Sequence, residues 1–174
     1  MTRRYLAYGS NLHPLRLCDR LPSSRLLGVT RLQGYSVRFD KRSKDGSGKC
    51  HLSPANNPDD LAFGAVYEIA AREKELLDRI EGLGRGYDER SMDVIVNGNE
   101  YSVFTYTAQA SYVNPELLPY DWYKALVLEG ARFLEFPEDY VSYIKSLNTQ
   151  ADRNEARRQG NERLLVRLQN YRCE

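Results

Sequence analysis

The sequence predicts an α+β fold: a small closed or nearly closed, mostly antiparallel β-barrel with flanking helices. Three observations carry this expectation. Strand-like runs fill the first part of the chain and are interrupted by one clear helical stretch, Ala71 to Ile80, before more strand-like runs follow. Asn97-Gly98-Asn99 separates two alternating runs, which marks an antiparallel hairpin because asparagine and glycine accept positive φ. From Tyr120 onward the apolar spacing is helical. This order lacks the regular β-α-β alternation of a parallel sheet, and 174 residues suit one domain with a real core.

Taken in order, Arg4 to Tyr8 reads as a short buried strand that Gly9-Ser10-Asn11 breaks. Leu12 to Leu21 carries Leu12, Leu15 and Cys18 at helical spacing, with Pro14 acceptable in a first turn. Arg25 to Asp40 mixes β-branched and aromatic residues around Gly28 and Gly34, which reads as one long or broken strand pair. Lys41 to Lys49 is charged and glycine-rich and is expected to be an exposed loop. His51 to Pro54 reads as a short strand, and Leu61 to Ile69 as a strong one. The helix over Ala71 to Ile80 places Leu76, Leu77 and Ile80 at helical spacing and is stopped by Gly82, Gly84 and Gly86. Met92 to Val96 and Tyr101 to Thr107 form the hairpin arms. Phe136-Pro137 ends the helix that begins after Tyr120, and Glu138 to Leu147 forms another, with Tyr140, Val141, Ile144 and Leu147 on one face. Ala151 to Tyr171, rich in arginine and glutamate with a thin stripe of Leu164, Leu165 and Leu168, reads as a helix packed on the body or on a second subunit.

Composition excludes several function classes. A formal charge of +1 gives no general attraction to nucleic acid or to an anionic membrane. No apolar run is long enough to span a bilayer, and Met1-Thr2-Arg3-Arg4-Tyr5 leads straight into a strand-like run without a signal-peptide apolar stretch. Cys18, Cys50 and Cys173 are distant and odd in number, so a reducing, cytoplasmic setting is expected. Two histidines and no Cys-x-x-Cys or His-x-x-x-His spacing predict no metal site.

Two segments stand out chemically. Tyr8-Gly9-Ser10-Asn11-Leu12 places a glycine and two small polar residues just after a buried strand, where backbone N–H groups can turn toward a ligand. The same residues also read as a strand-to-helix turn with Ser10 or Asn11 as the helix cap. Glu81, beside Gly82, sets a carboxylate at a helix C-terminus, where negative charge is disfavoured. Buried in a pocket it would serve as a proton shuttle; solvated in a frayed turn it would do nothing. Tyr106 and Tyr123 each offer either a hydroxyl to a substrate or a ring to the core. Cys50 and His51 are strand neighbours that face opposite ways, which argues against a catalytic pair. Gly82-Leu83-Gly84-Arg85-Gly86 follows a helix instead of opening one, the reverse of a phosphate loop.

These pieces together resemble the gamma-glutamylcyclotransferase-like family. The resemblance runs in order through Leu6-Ala7-Tyr8-Gly9-Ser10-Asn11-Leu12, Phe63-Gly64-Ala65-Val66-Tyr67, Leu77-Asp78-Arg79-Ile80-Glu81-Gly82, Val103-Phe104-Thr105-Tyr106, the segment opened by Tyr123, and Pro137-Glu138-Asp139-Tyr140-Val141. It implies a small β-barrel with flanking helices over 1–147; the tail over 148–174 lies outside the resemblance and is expected from its own residues to be a C-terminal helical extension that is part of the same unit or an interface element. The resemblance implies cyclisation of a γ-glutamyl compound to 5-oxoproline with release of an amine or amino acid, and no cofactor. Glu81 is implied as the general acid/base. Tyr8, Gly9, Ser10, Asn11 and Leu12 are implied as the glutamyl cradle, with Tyr106 and Tyr123 lining the site. The expected partner is a small γ-glutamyl substrate, with no nucleic acid and no membrane, for a monomer or homodimer. A non-catalytic small-molecule-binding or protein-interaction module on the same fold is the alternative. The loops around Lys41–Lys49 and Asn114–Tyr120 are expected to choose the leaving group.

Overall fold

A computed structural model describes residues 1–172; Cys173, and with it the end of the expected 148–174 extension, lies outside the described residues. The strands are β1 (Thr2–Ala7), β2 (Arg25–Gln33), β3 (Tyr35–Arg42), β4 (Gly48–Pro54), β5 (Leu61–Ala70), β6 (Tyr87–Val96) and β7 (Asn99–Ala108). The helices are α1 (Pro14–Arg20), α2 (Lys74–Glu81), α3 (Asp121–Phe133), α4 (Glu138–Ser146) and α5 (Glu155–Gln169).

Five strands form one curled sheet in the order β2-β5-β1-β7-β6. All neighbours are antiparallel except β1 and β7. The sheet is a half-barrel: its edge strands β2 and β6 approach without pairing, and a Cβ added to Gly28 would lie 2.7 Å from Val96 Cγ1. A register shift between Leu26 and Gly28 bends β2 into this curl. Central position explains why Tyr5, Leu6 and Ala7 are all buried: β1 is covered on both edges and both faces.

The region expected as a strand pair over Arg25 to Asp40 divides at Gly34, whose φ of 75° turns the chain. β2 then pairs with β5, and β3 leaves the main sheet to form a separate two-stranded ladder with β4. The Lys41–Lys49 segment is not the exposed loop its composition predicts. It is the tip of the β3–β4 hairpin, with Lys41, Ser47 and Gly48 buried. Asp45 explains the tuck: its carboxylate accepts from the Ser47 N–H (3.0 Å), the Ser47 hydroxyl (2.7 Å) and Lys49 Nζ (2.9 Å). The β6–β7 turn is the expected one, with Asn97 and Gly98 at φ of 50° and 80°.

Leu77 is fully buried and anchors α2, while Leu76 and Ile80 stay partly exposed. α5 packs on α3 and the core through Leu168, Leu164 and Leu165. Its N-terminal side is tied by Asp152, which accepts from Trp122 Nε1 (2.9 Å) and from Arg157 Nε (2.6 Å). Among the described residues, no helix is long and apolar enough to cross a membrane.

Candidate active site

The end of β1, the end of α2, and residues of β4, β7 and α3 converge on a polar recess of about 30 Å³. It is lined by Tyr5, Tyr8, Gly9, Ser10, Asn11, Cys50, Glu81, Tyr87, Tyr106 and Tyr123. Local chemistry sets each wall. The turn after β1 closes through Leu12 N–H donating to Gly9 O at 3.0 Å. A Cβ on Gly9 would stand 2.9 Å from Cys50 Cβ, so only glycine lets the turn lie this close to β4. Among the described residues, the N–H groups of Gly9, Ser10 and Asn11 meet no protein acceptor, so three donors in a row remain for a ligand.

Neither Ser10 nor Asn11 caps α1. The cap is His13, whose ring Nδ1 accepts from the Leu15 N–H at 3.2 Å. This frees Asn11 for other work. Its Nδ2 donates to Glu81 Oε1 (2.8 Å) and to Tyr5 Oη (3.2 Å), and its Oδ1 accepts from Arg20 (2.8 Å). Asn11 therefore spends its side chain on positioning Glu81 and has only its backbone N–H left for a ligand. Leu12 stands apart from the recess: its side chain is core, and its carbonyl accepts from the Tyr67 hydroxyl at 2.6 Å.

Glu81 is the last residue of α2, and Gly82 takes the left-handed C-cap at φ 76°, ψ 45°. That cap ends the helix where the carboxylate reaches the recess. Arg20 lies 3.5 Å from the same oxygen that Asn11 holds, and the Glu81 side chain keeps 20% exposure. One carboxylate oxygen is thus oriented by the protein and the other is left for a ligand.

The five tyrosines differ in what their hydroxyls do. Tyr8 donates to the Tyr106 carbonyl, Tyr87 to the Cys50 carbonyl (2.5 Å), and Tyr106 to Asp78 (2.6 Å). Tyr106 thus turns its ring, not its hydroxyl, to the recess. Tyr123 accepts from the Cys50 N–H at 3.1 Å, and its hydroxyl also meets the Cys50 thiol. Burial raises all five hydroxyls above their ordinary range, so they stay neutral donors at physiological pH. Burial also pushes the Cys50 thiol up to about 12, which removes it as a nucleophile. His51 points away to Asp40 at 3.1 Å. Among the described residues, no group of histidine, cysteine and acidic side chains could hold a metal ion.

Of the sequence-predicted residues, Tyr8, Gly9, Ser10, Asn11, Glu81, Tyr106 and Tyr123 come together around one recess, and Leu12 does not. Sequence reasoning missed Tyr5, Tyr87, Arg16 and Arg20, and named Lys41 and Lys49 only as the bounds of a rim loop. The four cations line an outer chamber of about 190 Å³ that shares Ser10, Glu81, Tyr87 and Tyr123 with the recess. Arg16 and Arg20 sit four apart on α1, a spacing that puts two cations on one helix face and could have flagged them.

Residues 62–144 match the AIG2-like family. The gamma-glutamylcyclotransferase of Homo sapiens is 28% identical over 148 residues, covering 82% of this chain and 77% of that protein. The gamma-glutamylcyclotransferase of Bos taurus is 27% identical over 146 residues with the same coverage, 82% and 77%. A solved structure of a gamma-glutamyl cyclotransferase superposes with a TM-score of 0.82 at 24% identity, over 96% of this chain and 99% of that one. A structure of an uncharacterized human protein gives 0.78 at 24% identity, over 95% and 98%.

Proposed function

We propose that this chain, similar to gamma-glutamylcyclotransferases over 82% of its length, is a cyclotransferase that closes a γ-glutamyl compound to 5-oxoproline and releases an amine or amino acid. The observation that carries the reading is a juxtaposition. An oriented carboxylate, Glu81, shares a recess with three unpaired backbone donors at Gly9, Ser10 and Asn11.

The chemistry follows from those groups. The substrate's α-ammonium is not a nucleophile until it loses a proton, and the free Glu81 oxygen accepts it. The amine then attacks the γ-carbonyl, forming the C–N bond of the five-membered lactam and moving the π pair onto the carbonyl oxygen. Backbone N–H groups of the cradle supply the donors for that oxyanion. Collapse restores the carbonyl and breaks the bond to the leaving nitrogen, which takes the proton from Glu81; the regenerated carboxylate then removes the second proton from the ring nitrogen, and the released amine leaves as an ammonium once that proton is passed on. Electrons balance without any redox partner. Acid/base help of this kind is worth roughly 10²–10⁴ in rate. Holding the γ-glutamyl chain bent, with amine and carbonyl in contact, supplies much of the rest.

The test is 5-oxoproline release from a panel of γ-glutamyl amino acids and γ-glutamylamines by the parent protein and by Glu81→Gln. Product from at least one member, lost in the variant, is the expected result. No product from any member would favour a binding module.

A further inference from the structure

We propose that Arg16 and Lys41 form an anion subsite for the leaving group, and that the preferred substrates release an acidic amino acid. This rests on the cyclotransferase reading and adds its substrate class.

The outer chamber next to Glu81 is lined by four cations and one further carboxylate, Asp45. Two of the cations are already matched. Arg20 donates to Asn11 and lies beside Glu81, and Lys49 pairs with Asp45 while resting among the Tyr120, Trp122 and Tyr123 rings. Arg16 and Lys41 are not: among the described residues neither has a carboxylate within ion-pair distance. Arg16 is 7% exposed, and its Nε has no hydrogen-bond partner. Asp19, its neighbour on α1, is turned to Arg167 at 2.9 Å. Lys41 is 6% exposed; its ammonium lies against Gly86 and over two ring faces, 4.2 Å from the Tyr87 centroid and 5.8 Å from that of Tyr112.

Such an arrangement is costly to the fold. Burial pulls the Arg16 guanidinium down to about 9 and lowers Lys41 as well, so each charge is held at a desolvation penalty that Glu81, Asp19 and Asp45, none of them within ion-pair distance of either cation, offset only in part. Lys41 is also directly opposite Lys49 across the β3–β4 ladder, an unfavourable like-charge pair. A ligand anion would offset all three costs. Two unmatched cations fit two carboxylates, and a γ-glutamyl derivative of an acidic amino acid carries two on its leaving half.

The experiment compares kcat/KM for γ-glutamyl-glutamate, γ-glutamyl-alanine and γ-glutamyl-propylamine, whose leaving halves carry two, one and no carboxylates. The parent protein should favour them in that order, by roughly tenfold per carboxylate. In Arg16→Met and in Lys41→Met the glutamate-to-propylamine ratio should fall about tenfold, and Arg16→Lys should restore part of it. An equal or reversed order in the parent protein overturns the proposal without needing a variant. So does a ratio unchanged in both variants, which would assign these cations to the glutamyl half common to all three substrates. No 5-oxoproline from any substrate sinks the cyclotransferase reading and this one together.

Discussion

Replacing Asn11 with alanine removes the carboxamide that links Tyr5, Glu81 and Arg20. Asn11 is 3% exposed, so water does not simply take its place. The bond to the Glu81 carboxylate, at 2.8 Å, is of the charged kind and worth about 1.5–3 kcal/mol; the one to Tyr5, at 3.2 Å, is neutral and worth about 0.5–1.5. Arg20, 27% exposed and still beside Glu81, loses its 2.8 Å bond to the carboxamide at little cost, and Glu81, 20% exposed, recovers part of its loss from solvent, which brings the sum to about 3 kcal/mol. For a chain of this size that is a fall in Tm of roughly 6–12 °C. Turnover should suffer more than binding, because the substrate's cradle donors are backbone groups that the substitution leaves in place. An unheld carboxylate misplaced by an ångström costs on the order of 10²-fold in kcat. Differential scanning calorimetry and 5-oxoproline kinetics read both effects. A Tm within about 2 °C of the parent and an unchanged kcat would refute the positioning role.

Cys50 should resist alkylation at mildly alkaline pH while the exposed Cys18 reacts, because a thiol pushed up to about 12 stays protonated; peptide mapping after iodoacetamide checks this, and fast labelling of Cys50 would contradict the burial. Leu77→Ala should cost about 2–5 kcal/mol by leaving a cavity under α2, and should lower kcat by loosening the helix that ends in Glu81; denaturant titration gives the first and kinetics the second. Asp152→Asn should destabilise the docking of α5. Hydrogen bonds from Arg157, with Asn154 and Trp122, hold the Asp152 carboxyl well below its ordinary range. Its contribution is therefore present above the ordinary aspartate value of 3.8 and is lost as pH falls through the depressed one. The Tm gap between parent and variant should be wide at neutral pH and narrow below about pH 3, and a gap independent of pH would argue against it.

The fold was legible where the signal is local. The Asn97-Gly98 turn, the Gly82 stop after α2 and the apolar spacing of α3 and α4 each follow from a few adjacent residues, and the structure places them as expected. Partner choice was not legible. Nothing within Arg25–Arg42 says that β2 joins β5 while β3 joins β4, since that depends on distant segments and on the turn at Gly34. The Lys41–Lys49 segment misled for the same reason. Its charges read as solvent-facing, yet Asp45 folds the hairpin tip inward and the Tyr120, Trp122 and Tyr123 rings of a remote segment cover Lys49. At the site, Glu81 and the glycine of the cradle were visible because their residue types are unusual at a helix end and after a buried strand. The carboxamide link from Asn11 to Glu81 spans seventy positions and becomes visible only in the folded chain.

The most direct measurement pairs turnover with product binding in Glu81→Gln. Glutamine keeps the shape and the acceptor that Asn11 needs but cannot take a proton at neutral pH. The account predicts that 5-oxoproline binds parent and variant with Kd values within about threefold, while kcat for γ-glutamyl-alanine falls by roughly 10²–10⁴. Turnover by Glu81→Gln at the parent rate would contradict it.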